Sequence, residues 1–284
     1  MTAEIKNFGI LGYPVGHSLS PQMYRSAFDA AGLKNYNYIL LPVQPGKLSS
    51  AVEGLKALDF RGVNVTIPHK TNIIKFIDAL DADAMIIGAV NTVVNDGGIL
   101  TGYNTDVAGF LAALAEKNFR IEGSNAVILG AGGAARAVLW GLCKKRASYI
   151  TIGARNPQKA DALAKDFLNY GRVEGFDWNS DDFKEILRWG ADIVINTTPL
   201  GMFPHVDDMP PVDLSRLTKD TLIYDMIYTP VETKFLRTAK ELGLPTLGGL
   251  SMLLLQGKES FRLYTRQEPD MEVMTRTVKS FLGL

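Results

Sequence analysis

The stretch AVILGAGGAARAVLWGL, residues 126–142, sets how the whole chain reads. Its opening AVIL is a short apolar run of the kind that forms a buried strand, and GAGG turns the chain into the helical pattern AARAVLWGL. Gly130, Gly132 and Ala135 fit G-x-G-x-x-G/A. In that pattern the first glycine permits the tight turn, the second lets a pyrophosphate approach the backbone, and the small third residue lets helix and strand pack closely. The helix start adds free N–H groups and a partial positive charge. A glycine pattern alone is weak, but a strand before it and a helix after it predict a dinucleotide-binding unit.

The next strand, SYITIG, bears on which dinucleotide. An NAD site usually carries Asp or Glu about 20 residues beyond the glycines, on the ribose hydroxyls. Here the strand runs into ARNPQK with no acid at its tip. Arg155 and Lys159 stand there instead and could pair with a 2′-phosphate, which favours NADP over NAD. Both also suit an ordinary solvated surface.

About 125 residues precede this unit. Among them FGILG, YNYILL, GVNVT and AVNTVV read as strands. Leu48, Ala51, Val52, Leu55 and Leu58 share one helical face, as do Val107, Phe110, Leu111 and Leu114 after TGYNTD. Beyond AVIL come YITIG, DIVIN and TLIYD, then a last helix over roughly 249–265 with Leu250, Leu253, Leu254, Gly257 and Phe261 on one stripe. This alternation predicts an α/β fold of two domains with parallel sheets and a boundary near residue 105. The stripe does not say on which domain the last helix packs. YPVGHSLSP, IPHK, NTTPLGM and DMIYTP each follow a strand, where open parallel sheets bind ligands, so both domains are expected to turn polar loops toward a shared cleft.

Composition narrows the class. Lys plus Arg equals Asp plus Glu, 30 each, so no basic surplus points to nucleic acid. No run of about 18 apolar residues suggests a membrane span, and the first residues lack a secretory pattern. The single cysteine, Cys143, excludes an internal disulfide and a cysteine-cluster metal site and reads as a small buried residue. His17, His69 and His205 have no metal-ligand spacing. A reducing cytoplasm fits these features.

Eight blocks, GYPVGHSLSP, GVNVTIPHK, GAVNTVV, GYNTD, GAGGAAR, NTTPLGM, YDMIYTP and GGLSMLLLQGKESF, follow one another along nearly the whole chain. Together they resemble the shikimate dehydrogenase (shikimate/quinate dehydrogenase) family. The resemblance implies a discontinuous N-terminal α/β substrate domain, residues 1–105 and 249–284. A Rossmann-like NADP-binding domain with a parallel sheet, residues 106–248, would interrupt it, with the active site in the cleft between. It further implies reversible reduction of 3-dehydroshikimate to shikimate with NADPH, by a monomer or homodimer acting on a small molecule.

Residue roles follow from the same resemblance. Lys70 would be the acid/base and Asp106 its ionic partner. Ser18, Ser20, Asn64, Thr66, Asn91, Tyr228 and Gln256 would bind the substrate. Gly130, Ala131, Gly132, Gly133, Ala134 and Ala135 would hold the cofactor, with Arg155, Lys159, Thr197, Met226, Ile227 and Gly249. On the residues alone other readings stand beside these. Ser20 before Pro21 suits a helix start. Gln256 suits a helix surface, Tyr228 packing, and Asp106 the favourable first turn of a helix. Lys70 reads as a cation placed against a helix dipole near the start of TNIIKFIDAL. Asn64 and Thr66 alternate on one strand and so face the same side.

Ala154, Asn156 and Pro199 depart from the family pattern and bear on cofactor contacts. Two rivals remain: a quinate/shikimate dehydrogenase using NAD or NADP, and a non-catalytic ligand sensor. Retention of Ser20 favours shikimate over quinate; retention of Lys70 and Asp106 argues against the sensor.

Overall fold

The computed structural model describes residues 4–284, with Trp189 described by its backbone alone. The chain forms two compact units, Met1–Gly109 with Leu254–Leu284, and Phe110–Leu253. The first unit contains β1 (Lys6–Gly12), α1 (Ser20–Ala30), β2 (Tyr36–Pro42), α2 (Leu48–Ala57), β3 (Phe60–Val65), β4 (Ala79–Leu80), α3 (Ala82–Ile87), β5 (Thr92–Asp96) and β6 (Ile99–Tyr103). Its sheet runs β2-β1-β3-β5-β6-β4. β1 is parallel to β2 and β3, whereas β3–β5 and β5–β6 are antiparallel. The parallel expectation therefore fails at these two pairings, whereas β4 runs parallel to β6. Asp96 faces Ile99 across the two-residue turn Gly97-Gly98, whose φ angles are 60° and 95°, the left-handed geometry a tight hairpin demands.

α2 lays Leu48, Val52 and Leu55 into a core with Leu11, Val63 and Val65. Leu58, expected on the same face, is 69% exposed because the helix ends at Ala57 and Asp59 turns the chain at φ 48°. TNIIKFIDAL, expected to open a helix, forms a short 3₁₀ turn over Ile73–Phe76 and then β4 instead.

α4 (Asp106–Glu116) carries the chain into the second unit. There follow β7 (Asn125–Leu129), α5 (Gly133–Lys144), β8 (Tyr149–Ala154), α6 (Pro157–Asp166), β9 (Val173–Asp177), α7 (Asp181–Gly190), β10 (Ile193–Asn196), β11 (Leu222–Asp225), α8 (Lys234–Glu241) and β12 (Thr246–Leu247). Every pairing in the sheet β12-β11-β10-β7-β8-β9 is parallel. This is the doubly wound order in which the direction of winding reverses between β7 and β10. Val127, Leu129, Val194 and Ile223 are buried together, which explains why these strands read as unbroken apolar runs.

α9 (Leu250–Thr265) returns to the first unit, and its Gly257 carbonyl accepts from Tyr24 Oη at 3.2 Å. It is not the last helix. α10 (Met271–Phe281) follows, started by Asp270, whose carboxylate accepts the Glu272 and Val273 N–H groups. Its buried stripe is only Met274 and Val278, too narrow to stand out in the sequence. Among the described residues no helix is long and apolar enough to cross a membrane.

Candidate active site

The first unit gathers its polar residues around Asn91, which immediately precedes β5. Asn91 Nδ2 donates to Asp106 Oδ1 and to Thr105 Oγ1, each at 2.8 Å, and lies 3.5 Å from Gln256 Oε1. Its Oδ1 accepts from the Thr105 N–H at 2.7 Å and from Thr92 Oγ1 at 3.0 Å. Asp106 opens α4, where its N–H donates to Asn104 Oδ1 at 3.1 Å and a carboxylate favours the helix dipole. Its other oxygen accepts from Lys70 Nζ at 2.5 Å, with the two side chains 8% and 17% exposed.

Lys70 is delivered by the turn after β3. His69 holds that turn: its Nε2 lies 2.7 Å from the Val43 carbonyl and its N–H donates to Thr66 O. The Lys70 carbonyl in turn accepts from the Val90 N–H at 2.8 Å. A cation among neutral or acidic partners is thus fixed by backbone, not by a helix terminus. The result is an ammonium group clamped against a carboxylate that Asn91 orients from behind, a unit able to give or take one proton at a bound oxygen.

Ser18 sits in the loop after β1 and Ser20 at the first position of α1, both buried. Ser18 Oγ accepts the Ser20 N–H at 3.3 Å and donates to Ser20 Oγ at 3.2 Å. Ser20 lies inside α1 and caps nothing; the N-cap position falls on Leu19, without a side-chain bond. Thr66 is half-buried just past β3, where its N–H donates to Leu11 O. Asn64 behaves differently. Its Oδ1 accepts from Tyr38 Oη at 2.7 Å, and its Nδ2 lies within reach of Asn91 O, Thr92 Oγ1 and Ser260 Oγ at 3.1–3.3 Å. The protein thus hydrogen-bonds both polar atoms of the Asn64 amide, which fixes its orientation in a buried polar brace.

Thr92, Thr105 and Ser260 complete that brace. Ser260 Oγ is 2.8 Å from Thr92 Oγ1 and 3.0 Å from Thr105 Oγ1, and all three are buried. They lie within GAVNTVV, GYNTD and GKESF, yet only the fold shows that they meet. Tyr228, half-buried, belongs to the second unit with the remaining expected residues.

That unit builds its cradle where the winding reverses. Gly130 has φ 110°, and a side chain there would stand 2.7 Å from Thr197 Oγ1. Thr197 closes the crossover by donating its N–H and Oγ1 to Leu129 O at 3.0 and 2.7 Å. Gly132 precedes α5 with no side-chain cap and open space where its Cβ would be, leaving Gly133, Ala134 and Ala135 to present the helix start. Ala131 is half-buried beside it. Free helix N–H groups and bare backbone fit a dinucleotide pyrophosphate. At the tip of β8, Arg155 and Lys159 are exposed on either side of the cap of α6, where Asn156 Oδ1 accepts the Lys159 N–H, a placement that fits a 2′-phosphate.

The loop after β11 adds Met226 and Ile227. The Met226 N–H donates to Asn196 O, and the Gly249 N–H donates to Ile227 O, both at 3.1 Å. A side chain at Gly249 would collide with the Met226 carbonyl, so only glycine fits. Beneath this loop Asp225 is fully buried, and loss of solvent pushes its carboxyl up to about 6. Among the described residues no cluster of three His, Cys, Asp or Glu could hold a metal.

Comparison with known proteins agrees with this division. A family model for the shikimate dehydrogenase substrate binding domain matches residues 10–93, and one for shikimate / quinate 5-dehydrogenase matches residues 113–200. The shikimate dehydrogenase (NADP(+)) of Carboxydothermus hydrogenoformans is 45% identical over 278 residues, covering 98% of each chain. A crystal structure of a shikimate dehydrogenase in complex with NADP+ superposes with a TM-score of 0.89 at 41% identity, covering 98% of this chain and 96% of the other. The shikimate 5-dehydrogenase of Listeria monocytogenes, in complex with shikimate and NAD, gives 0.88 at 33% identity over 98% of each chain.

Proposed function

Because this chain belongs to the shikimate dehydrogenase family, we propose that it reduces 3-dehydroshikimate reversibly to shikimate with NADPH. The Lys70–Asp106 pair, 2.5 Å apart and oriented by Asn91, is the observation that carries this reading. When bound, NADPH supplies the hydride. The carbonyl oxygen of the substrate then needs a proton, and Lys70 Nζ gives it; in the reverse direction Lys70 takes it back from the hydroxyl. Asp106 holds the ammonium in place and accepts from the reacting hydroxyl.

Ser18, Ser20 and Thr66 take the carboxylate side of the substrate, and Gln256 and Tyr228 its hydroxyls. Residues 1–105 with 249–284 are assigned to substrate binding and 106–248 to the cofactor, a division supported by the two compact units. Gly130, Gly132 and the start of α5 take the pyrophosphate, Arg155 and Lys159 the 2′-phosphate, and Thr197, Met226, Ile227 and Gly249 the nicotinamide end. The protein works as a monomer or homodimer in the cytoplasm, without nucleic acid, which suits its balanced charge and its single unpaired thiol. Mixing purified protein with 3-dehydroshikimate and NADPH should consume NADPH and form shikimate in equal amounts. NADPH left unconsumed would overturn the proposal.

A further inference from the structure

Asp225 is a buried ionisable group that the proposed reaction does not use. Among the described residues its carboxylate makes no ion pair; three neutral donors surround it. Oδ1 accepts from Asn196 Nδ2 at 3.0 Å and from the Ile227 N–H at 3.1 Å, and Oδ2 accepts from Thr233 Oγ1 at 2.6 Å. Burying a carboxylate without a cation is unfavourable, which sets Asp225 apart from an ordinary core residue.

Each donor belongs to a different segment. Asn196 ends β10, and its Oδ1 accepts the N–H and hydroxyl of Thr198 at 3.0 and 2.7 Å. Ile227 lies in the loop after β11. Thr233 starts α8, where its Oγ1 accepts the Leu236 N–H at 3.3 Å. One carboxylate therefore ties together the end of β10, the loop after β11 and the start of α8. Thr197 adjoins Asn196 in sequence, and Met226 and Ile227 adjoin Asp225.

We propose that Asp225 is a positioning residue for the cofactor: it fixes the loops after β10 and β11 so that Thr197, Met226 and Ile227 are ordered before NADPH arrives. The inference rests on the NADPH-dependent reading above. Loops ordered in advance lose less conformational freedom on binding, and affinity gains accordingly. Asparagine would keep an acceptor for Asn196 and Ile227 and offer its Nδ2 to the Thr233 hydroxyl, so it preserves most of the clamp. Alanine abandons all three donors.

The test is the Kd of NADPH for the unliganded protein, read by fluorescence titration beside the melting temperature and the steady-state constants. Asp225→Ala should weaken NADPH binding roughly tenfold, the scale of a lost buried hydrogen bond. kcat and the KM for shikimate at saturating cofactor should stay within about threefold, and Asp225→Asn should restore most of the affinity. If Asp225→Ala does not fold, Thr233→Val against Thr233→Ser makes the same comparison at Oδ2. A folded alanine or valine variant that binds NADPH as tightly as the unmodified protein, with only its melting temperature lowered, overturns the clamp. So does an asparagine variant no better than alanine. An unmodified protein that binds no NADPH would instead overturn the reading on which the clamp rests.

Discussion

Delivery of a hydride to a ketone leaves charge on its oxygen, and in the proposed reaction Lys70 is the donor that quenches it. With Nζ held 2.5 Å from Asp106 Oδ2, removal of the amine takes away the cationic proton donor of this cluster. We expect Lys70→Ala to lower kcat by a factor on the order of 100 or more, with the NADPH Kd unchanged. Asp106→Asn should be similarly damaging, because the ammonium loses its counter-charge. A folded Lys70→Ala enzyme with near-normal turnover contradicts the assignment. At the cofactor, Arg155→Glu should weaken NADPH far more than NADH, since only the former carries the 2′-phosphate; equal weakening of both would remove Arg155 from that role. The proposed catalytic pair could be named from the sequence through the IPHK and GYNTD blocks, but its geometry could not. Asn64 shows the limit. Its alternation with Thr66 along an apolar strand predicts a ligand contact, but not the hydrogen bonds to Tyr38, Thr92 and Ser260, which come from segments that no spacing rule connects.

The elements that carry strong local signals are the ones the sequence announced. β7, the glycine turn and α5 are contiguous, and each is dictated by neighbours in the chain. Gly130 illustrates how tightly: an L side chain at φ 110° is strained, and its Cβ would press Thr197 Oγ1 at 2.7 Å. Gly130→Ala should lower stability by about 1–3 kcal/mol in urea melts and weaken NADPH binding, since Thr197 must move. An unchanged midpoint and Kd would show that the turn tolerates a side chain. Two further elements carry a local signal in the sequence. NDGG before Ile99 is a strong hairpin signal, and it explains why β5 and β6 are antiparallel. Asp270 before MEVMTRTV is a helix start, obscured because α10 buries so little.

Across the whole molecule, alternation of strands and helices was enough to give two α/β units. The return of the chain to the first unit was not, because a stripe of leucines on α9 suits either partner equally. Stability should also carry the mark of Asp225. Its carboxyl is raised to about 6 from an ordinary 3.8, so the folded state holds a proton that the unfolded chain has released. That contribution is present below about pH 4 and is lost as pH rises through 6, amounting to roughly 3 kcal/mol. Asp225→Asn has no such titration. The melting temperature of the unmodified protein should therefore fall relative to Asp225→Asn between pH 4 and 6 and run parallel above; a constant offset would mean that Asp225 is not raised. The function itself is tested most directly by a steady-state assay that crosses shikimate and quinate with NADP+ and NAD+. We expect the highest kcat/KM for shikimate with NADP+; a value as high for quinate, or for shikimate with NAD+, would contradict the specificity assigned to Ser18, Ser20 and Arg155.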